Sequence, residues 1–156
     1  MTTLTIRFIH GDDIVSGLIG YATDSLWTHT EVLSRDGKSW IGAHAGTGVQ
    51  ARPLDWANPT REAVYTVPVT DEEANEAYTW LEGQIGKPYS YPDIVGLALH
   101  VRVGLNRHAV ICSALVLEFL WKASQQPLNV LEGYEALITP ETLHLSPIFI
   151  GRKIHR

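Results

Sequence analysis

The sequence predicts an α+β domain, because residues with strand character dominate its first half and residues with helical periodicity dominate its second half. Two local signals support this division. Asp36 and Gly37 lie between two stretches of strand character and form a strong β-hairpin signal. Thr70 and Glu73 have the spacing of a capping box that opens a helix. No internal repeat, linker or low-complexity tract interrupts the sequence, so residues 1–156 are expected to form one domain.

The first half is expected to be mostly β-structure. A strand is predicted from Leu4 to Ile9, where apolar and polar residues alternate. The next segment, "GDDIVSGLIGYA", is a helix candidate with Asp12 or Asp13 as N-cap, although its glycines weaken the pattern. The hairpin supplies two further strands, and "EAVYTVPV" supplies another.

The second half is expected to be mostly helical. The helix that the capping box opens is expected to end at Gly86 and to have an apolar face. Helices are also expected in "SYPDIVGLALHVRVG", with Pro92 in the first turn, and from Ile111 to Ser124. "ITPETLHLSP" predicts a short helical turn capped by Thr139, and "PIFIGRKI" predicts a closing strand. The apolar face of the helix that follows the capping box consists of Ala74, Ala77, Tyr78, Leu81 and Ile85.

The composition excludes several classes of protein. The formal net charge is -5, and no basic run offers a footprint for nucleic acid. No stretch approaches 18 apolar residues, so no integral membrane segment is expected. The N-terminus lacks the pattern of a secretory signal, and one cysteine cannot form an internal disulfide. These features predict a cytoplasmic protein, with export by a route that uses no cleaved signal as the alternative, and they leave its oligomeric state open.

The single cysteine is predicted to open a helix. Cys112 lies at the start of the apolar run "ICSALVLEFL". The unpaired amides and the dipole of a helix N-terminus favour a thiolate, and the same amides can bind an oxyanion. The alternative is that Cys112 is a buried thiol that only fills space.

The hairpin suggests which histidine could serve as a base. If Asp36 and Gly37 are central in the turn, Leu33 faces Trp40, Glu31 faces Gly42, and His29 faces His44. This register places two imidazoles and a carboxylate on one face of the sheet, and Gly42 leaves room beside the carboxylate. The alternative is an edge hairpin with a solvated polar face. The residues in this cluster are His29, Glu31 and His44.

The stretch "IGKPYSYPDIVG…AVICSALVLEFL" resembles the signature of the NlpC/P60 papain-like superfamily, in which a Gly-x-Pro-Tyr element precedes a Cys-Ser pair that opens a helix. The piece that resembles the histidine-bearing strand, "WTHTEVL…GKSWIGAHAGTGVQARPL", lies upstream of the cysteine. That order is similar to the circularly permuted branch, which includes YiiX-like and lecithin:retinol acyltransferase-like proteins. "HGDDI" and "ITPETLHLSPIF" also resemble the YiiX-like group. The matched signature positions are Gly86, Pro88, Tyr89, Cys112 and Ser113.

The resemblance implies a permuted papain-like fold, in which a small antiparallel sheet or half-barrel packs against helices and the catalytic cysteine begins a helix. It implies Cys112 as nucleophile, His29 as base and a third, orienting group on the strand after the histidine. The register favours His44 as the third group, with Glu31 as the alternative. The chain departs from the pattern at Thr28, at Thr30-Glu31 and at Gly42-Ala43, where some permuted members carry Glu-Ala. Ile111 also stands where the acyltransferase branch has asparagine.

The activity implied is that of a cysteine hydrolase or acyltransferase that acts on an amide, ester or thioester without a metal or other cofactor. A peptidase, an amidase and a lipid acyl hydrolase all fit, since unpermuted relatives cut peptidoglycan peptides and permuted relatives are associated with lipid substrates. The expected partner is therefore a small-molecule, lipid or peptide substrate. Residues expected to line the cleft or assist the oxyanion are Tyr89, Tyr91, Ser113 and Trp27, with Trp40 and Trp56 as further candidates for an acyl groove.

Two alternatives to an enzyme remain open. A catalytically silent papain-like module would bind a lipid or a protein partner. A metal site built from His29, His44 and Glu31 would suit zinc by ligand type, but it would give Cys112 no role.

Overall fold

The computed structural model describes residues 1–11, 26–92, 111–130, 134–149 and 153–154. In this part of the chain, strands β1 to β5 follow one another in sequence before the helices, as the division of the sequence predicts. The strands are β1 (Thr2–His10), β2 (His29–Leu33), β3 (Ser39–His44), β4 (Gly48–Pro53), β5 (Arg61–Val69) and β6 (Lys153–Ile154). The helices are α1 (Asp71–Glu82), α2 (Cys112–Lys122) and α3 (Pro140–His144), with 3₁₀ turns at Glu135–Leu137 and Pro147–Phe149.

The strands form one antiparallel sheet in the order β4-β3-β2-β1-β5-β6. β1 therefore lies inside the sheet, between β2 and β5. The predicted hairpin register is confirmed, because Leu33 pairs with Trp40 and Val32 pairs with Ile41. The turn is longer than two residues: the amide of Ser34 donates to the carbonyl of Ser39 at 2.8 Å, which closes a loop in the same register.

One face of the sheet forms the apolar core with the helices. Alternate residues of β1, namely Leu4, Ile6 and Phe8, are fully buried among helical side chains. Since successive strand residues point to opposite faces, Arg7 lies on the other face, yet it is buried as well. This sheet therefore has a polar group sealed within its second face, where a solvated surface would be usual.

Helix α1 begins as predicted and ends earlier than predicted. The capping box is confirmed, because Thr70 and Glu73 each accept the other's backbone amide. The helix stops at Glu82 with Gly83 as its C-cap, so the expectation that Ile85 belongs to the apolar face is wrong. Ile85 is 46% exposed, in a turn that precedes Gly86.

Helix α2 begins at Cys112, and the backbone of Ile111 is its extended N-cap. The helix packs against β2 and β3, and most of its residues are buried. This burial on nearly all sides explains why the sequence here is an apolar run with little amphipathic patterning. The packing fixes the sulfur-bearing first turn of α2 beside the histidine-bearing hairpin.

The C-terminal part of the chain confirms one prediction and corrects another. Thr139 caps the short helix α3, as expected, by accepting the amide of Thr142 at 2.9 Å. The closing strand in "PIFIGRKI" is reduced to Lys153–Ile154, which pairs with β5, because Pro147–Phe149 forms a 3₁₀ turn. A proline at the start of that segment lacks the amide that a sheet ladder requires.

Two predicted helices fall largely outside the described residues. The candidate after Asp12 or Asp13 lies there entirely, and of "SYPDIVGLALHVRVG" only the first three residues are described, with Tyr91 and Pro92 helical. Within the described ranges, the helices are too short or too polar to cross a bilayer.

We expect Thr70→Ala to lower the free energy of unfolding by about 1 kcal/mol, because it removes the side chain that accepts the amide of Glu73. Urea denaturation followed by circular dichroism measures this loss. Glu76→Ala, at an exposed position of the same helix, serves as the control and should change stability by less than about 0.5 kcal/mol. Equal effects of the two substitutions would contradict the capping role.

Candidate active site

Strands β2 and β3 bring two imidazoles and a carboxylate together. The register that pairs Leu33 with Trp40 continues along the hairpin toward His29 and His44, whose ring centroids lie 4.7 Å apart. Oε1 of Glu31 lies 3.3 Å from Nε2 of His29 and 3.4 Å from Nε2 of His44. The structure thus places the predicted base and both predicted third groups in one cluster.

The guanidinium of Arg7, on the neighbouring strand β1, holds the carboxylate of Glu31. The two residues are cross-strand partners, and both Nε, at 3.0 Å, and Nη2 of Arg7 donate to Oε2 of Glu31. The guanidinium lies 4.4 Å from the ring centroid of Trp40 and also bonds Glu62. Nε1 of Trp56 donates to the same Oε2 at 3.4 Å. Because Oε2 is occupied, Oε1 is the oxygen that faces the two imidazoles.

Sequence reasoning missed Arg7. The available signal is a charged residue in the middle of the otherwise apolar strand "LTIRFI", on the face opposite Ile6 and Phe8. Such a residue needs a buried partner if the face is covered. The sequence does not show that this face is covered, and it does not set the register between β1 and β2.

Gly42 gives the carboxylate its space, as predicted from the hairpin register. A Cβ atom on Gly42 would lie 2.9 Å from Cγ of Glu31, 3.2 Å from Nε2 of His29 and 3.3 Å from Oε1 of Glu31. Any side chain at this position would therefore overlap the volume at the centre of the cluster. The glycine keeps open the point toward which these polar atoms converge.

The thiol of Cys112 lies near enough to the imidazole of His29 to raise the pKa of that ring. Packing of α2 on β2 and β3 produces this proximity between residues far apart in sequence. Cys112 is 3% exposed, whereas the side chain of His29 is 12% exposed. Of the two, His29 is therefore the side chain more open to solvent.

The electrostatics of the cluster separate the two histidines. Burial acts to lower the pKa of His29, but the charges and hydrogen bonds of Cys112 and Glu31 raise it to about 10. Burial acts to raise the pKa of Glu31, but His29 and Arg7 lower it to about 2. Burial, and next the charge of His29, lower the pKa of His44 to about 3. At neutral pH these shifts favour a carboxylate at Glu31, a protonated His29 and a neutral His44.

Three further residues that the sequence suggested for the cleft or the oxyanion are Tyr89, Tyr91 and Ser113. Tyr89 is buried and packs edge-on against Tyr91, which is 53% exposed. The hydroxyl of Tyr91 lies close to Gly46, two residues after His44. The side chain of Ser113 is buried next to Cys112 in the first turn of α2.

Of the tryptophans, Trp56 is the one that contacts both imidazoles. Its ring packs edge-on against His44 at 4.9 Å and against His29 at 6.2 Å between centroids. Trp27, which the sequence suggested as a groove residue, is 5% exposed and packs against Phe8 and His144 in the core. Trp27 therefore contributes to the apolar core.

The same cluster offers three possible metal ligands. Each of His29, Glu31 and His44 offers one ligand atom within 4.8 Å of those of the other two. The buried atoms that converge are Nε2 of His29, Oε1 of Glu31 and Nε2 of His44. Within the described part of the chain, these three buried atoms have no hydrogen-bond partner of good geometry. Nitrogen and carboxylate ligands in this combination suit zinc.

We expect Arg7→Met to lower the free energy of unfolding by about 3–5 kcal/mol, because it leaves the carboxylate of Glu31 buried without its cation. Adding Glu31→Gln to this variant should restore part of the loss. Chemical denaturation of the single and double variants measures both effects. Arg35→Met is the control, since its partner Glu82 is exposed, and it should cost less than about 1 kcal/mol. Equal costs for the two single variants would contradict a structural role for the buried pair.

Comparisons with known proteins identify the fold. No protein-family model and no curated protein matches this sequence. Among solved structures, the chain is similar to the crystal structure described as the metalloprotein YiiX from Escherichia coli O157:H7, with a TM-score of 0.73. The match covers 99% of this chain and 97% of that one, at 16% sequence identity. The chain therefore has a YiiX-like fold over nearly its whole length.

Proposed function

We propose that this chain is a cysteine hydrolase of the circularly permuted papain-like type, with Cys112 as nucleophile and His29 as base. One observation carries the proposal: the packing of α2 on β2 and β3 brings the thiol of Cys112 near the imidazole of His29, while Nε2 of that ring lies 3.3 Å from the carboxylate of Glu31. A nucleophile, a base and an orienting group close together are the parts that covalent catalysis requires.

The first chemical step is activation of the thiol by transfer of its proton to His29, and the protonated imidazole that the raised pKa favours is the product of this transfer. Since Nε2 of His29 faces Glu31, Nδ1 is the ring nitrogen left to accept the proton of Cys112. The thiolate then attacks the carbonyl carbon of an amide, ester or thioester, and a carbon–sulfur bond forms. His29 returns the proton to the leaving group as the bond to it breaks. Water, deprotonated by His29, cleaves the acyl-enzyme, releases the acid and restores the thiol.

The orienting role belongs to Glu31 in this proposal. Its Oε1 is near enough to Nε2 of His29 to favour a proton on that nitrogen, which leaves the lone pair of Nδ1 for the thiol. Arg7 and Trp56 fix the carboxylate in this position. His44 packs beside His29 and contacts the same carboxylate oxygen, so it restricts the ring without supplying a charge.

The first turn of α2 supports oxyanion binding. The N-cap residue Ile111 provides no side-chain cap to the amides of this turn, within the described residues. The first amides of a helix have no intrahelical partners, and here they belong to the turn that begins at Cys112. The buried hydroxyl of Ser113 likewise has no hydrogen-bond partner in the described ranges. These donors are available to an oxygen that becomes negative next to Cys112.

The burial of the sulfur restricts the substrate. At 3% exposure, Cys112 accepts only a carbonyl at the end of a narrow or flexible group that approaches past its neighbours. The exposed ring of Tyr91, next to Tyr89, offers an aromatic contact for the acyl or leaving group near the β3–β4 turn. An acyl ester, a thioester or a short peptide amide fits these constraints.

Turnover and trapping of the acyl-enzyme test the proposal. Purified protein is incubated with 4-nitrophenyl acyl esters, acyl thioesters and muropeptides, and intact mass is recorded after acid quenching. Since the chain has one cysteine, an acyl mass adduct removed by hydroxylamine reports on Cys112. We expect hydrolysis of at least one class and a loss of at least about 1000-fold in kcat/KM for Cys112→Ser.

Alkylation of the thiol tests whether His29 activates it, independently of substrate choice. We expect His29→Gln to slow the reaction of Cys112 with iodoacetamide at pH 7 by about tenfold or more, because the cationic partner of the thiolate is lost. His10→Gln, which removes a histidine outside the cluster, should leave the rate unchanged. A rate that is the same in wild type and His29→Gln would contradict the mechanism. If none of the ester, thioester and muropeptide substrates is turned over either, the binding module replaces the hydrolase as the proposed function.

A further inference from the structure

We infer that His29, Glu31 and His44 form a binding site for one divalent transition-metal ion of the zinc type, and that its occupancy inhibits the thiol chemistry of Cys112. The binding part of this inference is independent of the proposed function. The inhibitory part rests on that function, because it concerns the same imidazole.

The first argument is the set of unsatisfied atoms. Nε2 of His29, Oε1 of Glu31 and Nε2 of His44 are each buried, and none has a hydrogen-bond partner of good geometry in the portion of the chain that is described. Buried polar atoms are nearly always satisfied by hydrogen bonds, so an exception needs an explanation. Here the unsatisfied atoms belong to three residues and point toward each other. A shared cation would satisfy all three at once.

The second argument is distance. Zinc bonds of about 2.0–2.1 Å place the ligands of a tetrahedral ion about 3.3 Å apart. The observed separations are 3.3 Å between Nε2 of His29 and Oε1 of Glu31, and 3.4 Å between Nε2 of His44 and the same oxygen. The nitrogens that the two histidines offer as ligands lie no more than 4.8 Å apart. Binding would draw the imidazoles together, whereas the two nitrogen–oxygen separations already match those of a tetrahedral zinc site.

The third argument is the space and the support around these atoms. The missing side chain of Gly42 leaves free a position 3.2 Å from Nε2 of His29 and 3.3 Å from Oε1 of Glu31. Arg7 and Trp56 hold the other carboxylate oxygen, as outer-shell partners of metal ligands do. Two nitrogens and one oxygen select zinc or a neighbouring transition metal over magnesium and calcium, which prefer all-oxygen sites.

The positive charge of Arg7 makes this site weaker than an isolated two-histidine, one-carboxylate site. The guanidinium already neutralises the carboxylate of Glu31, so the carboxylate attracts a metal ion less strongly. With only three protein ligands, the ion also exchanges more readily than an ion held by four. Both features suit reversible occupancy.

Metal binding and base catalysis require opposite tautomers of His29. A neutral imidazole that ligates metal through Nε2 carries its proton on Nδ1, and it then has no lone pair for the thiol of Cys112. In the metal-free site, Nε2 keeps its proton because it faces the carboxylate of Glu31, and Nδ1 is the nitrogen that exchanges a proton with the thiol. One ion therefore removes the base without contacting the sulfur.

Zinc binding is tested first, without any activity measurement. Isothermal titration with Zn²⁺ should show one equivalent bound by the wild-type chain and by Cys112→Ser with similar affinity. His44→Gln and Glu31→Gln should each weaken binding by about 100-fold or more, since loss of an outer-shell partner alone costs 10–100-fold. His10→Gln should bind as the wild type does, and circular dichroism verifies that each variant is folded. Two cluster variants are used because Glu31→Gln alters the buried pair with Arg7.

Inhibition is tested by alkylating Cys112 with iodoacetamide in the presence and absence of Zn²⁺. We expect saturating Zn²⁺ to slow alkylation of the wild type at least about tenfold, EDTA to restore the rate, and Mg²⁺ to have no effect. In His44→Gln, the same Zn²⁺ concentration should leave that variant's own metal-free rate unchanged.

The outcomes separate this inference from the proposed hydrolase. Absence of zinc binding in the wild type, or binding that is lost in Cys112→Ser and kept in His44→Gln, overturns the metal site and leaves the hydrolase proposal intact. Binding at the cluster with no effect on alkylation overturns the inhibitory role. A chain that binds zinc and slows alkylation as described, yet hydrolyses no substrate, supports the metal site while refuting the hydrolase.

Discussion

The buried ion pair between Arg7 and Glu31 is the interaction on which the site depends. A carboxylate in a covered sheet face needs a cation and further donors, and Arg7 and Trp56 provide them through one oxygen, Oε2. The remaining oxygen is then fixed beside His29 and His44. The Arg7–Glu31 pair thus links the stability of the sheet's second face to the orientation of His29, the imidazole beside the thiol. Removing either charge affects both.

The part of the site carried by the hairpin could be predicted from the sequence. A strong turn signal sets the register, and alternation along two strands then determines which side chains share a face. That reasoning placed Leu33 opposite Trp40 and put Gly42 beside Glu31, and the structure agrees on both. The helix start at Cys112 was also predictable, because an apolar run begins there after a β-type residue.

The contacts between distant segments could not be predicted in the same way. The pairing of β1 with β2 depends on a connection that has no turn signal, so the partnership of Arg7 with Glu31 left only a weak trace in the sequence. Tertiary packing also overrode local patterns. The apolar periodicity that included Ile85 continues past the real end of α1, and Trp27 packs into the core although its sequence position is near His29.

The order of elements along the chain has a consequence for synthesis on the ribosome. Strands β1 to β5 and helix α1 all lie within residues 2–82. N-terminal units fold first as a chain emerges, so the ion pair and the imidazole cluster can assemble while the segment bearing the sulfur is still inside the exit tunnel. The nascent chain can therefore acquire its histidines and carboxylate as a formed unit before α2 docks and brings the sulfur of Cys112 to them.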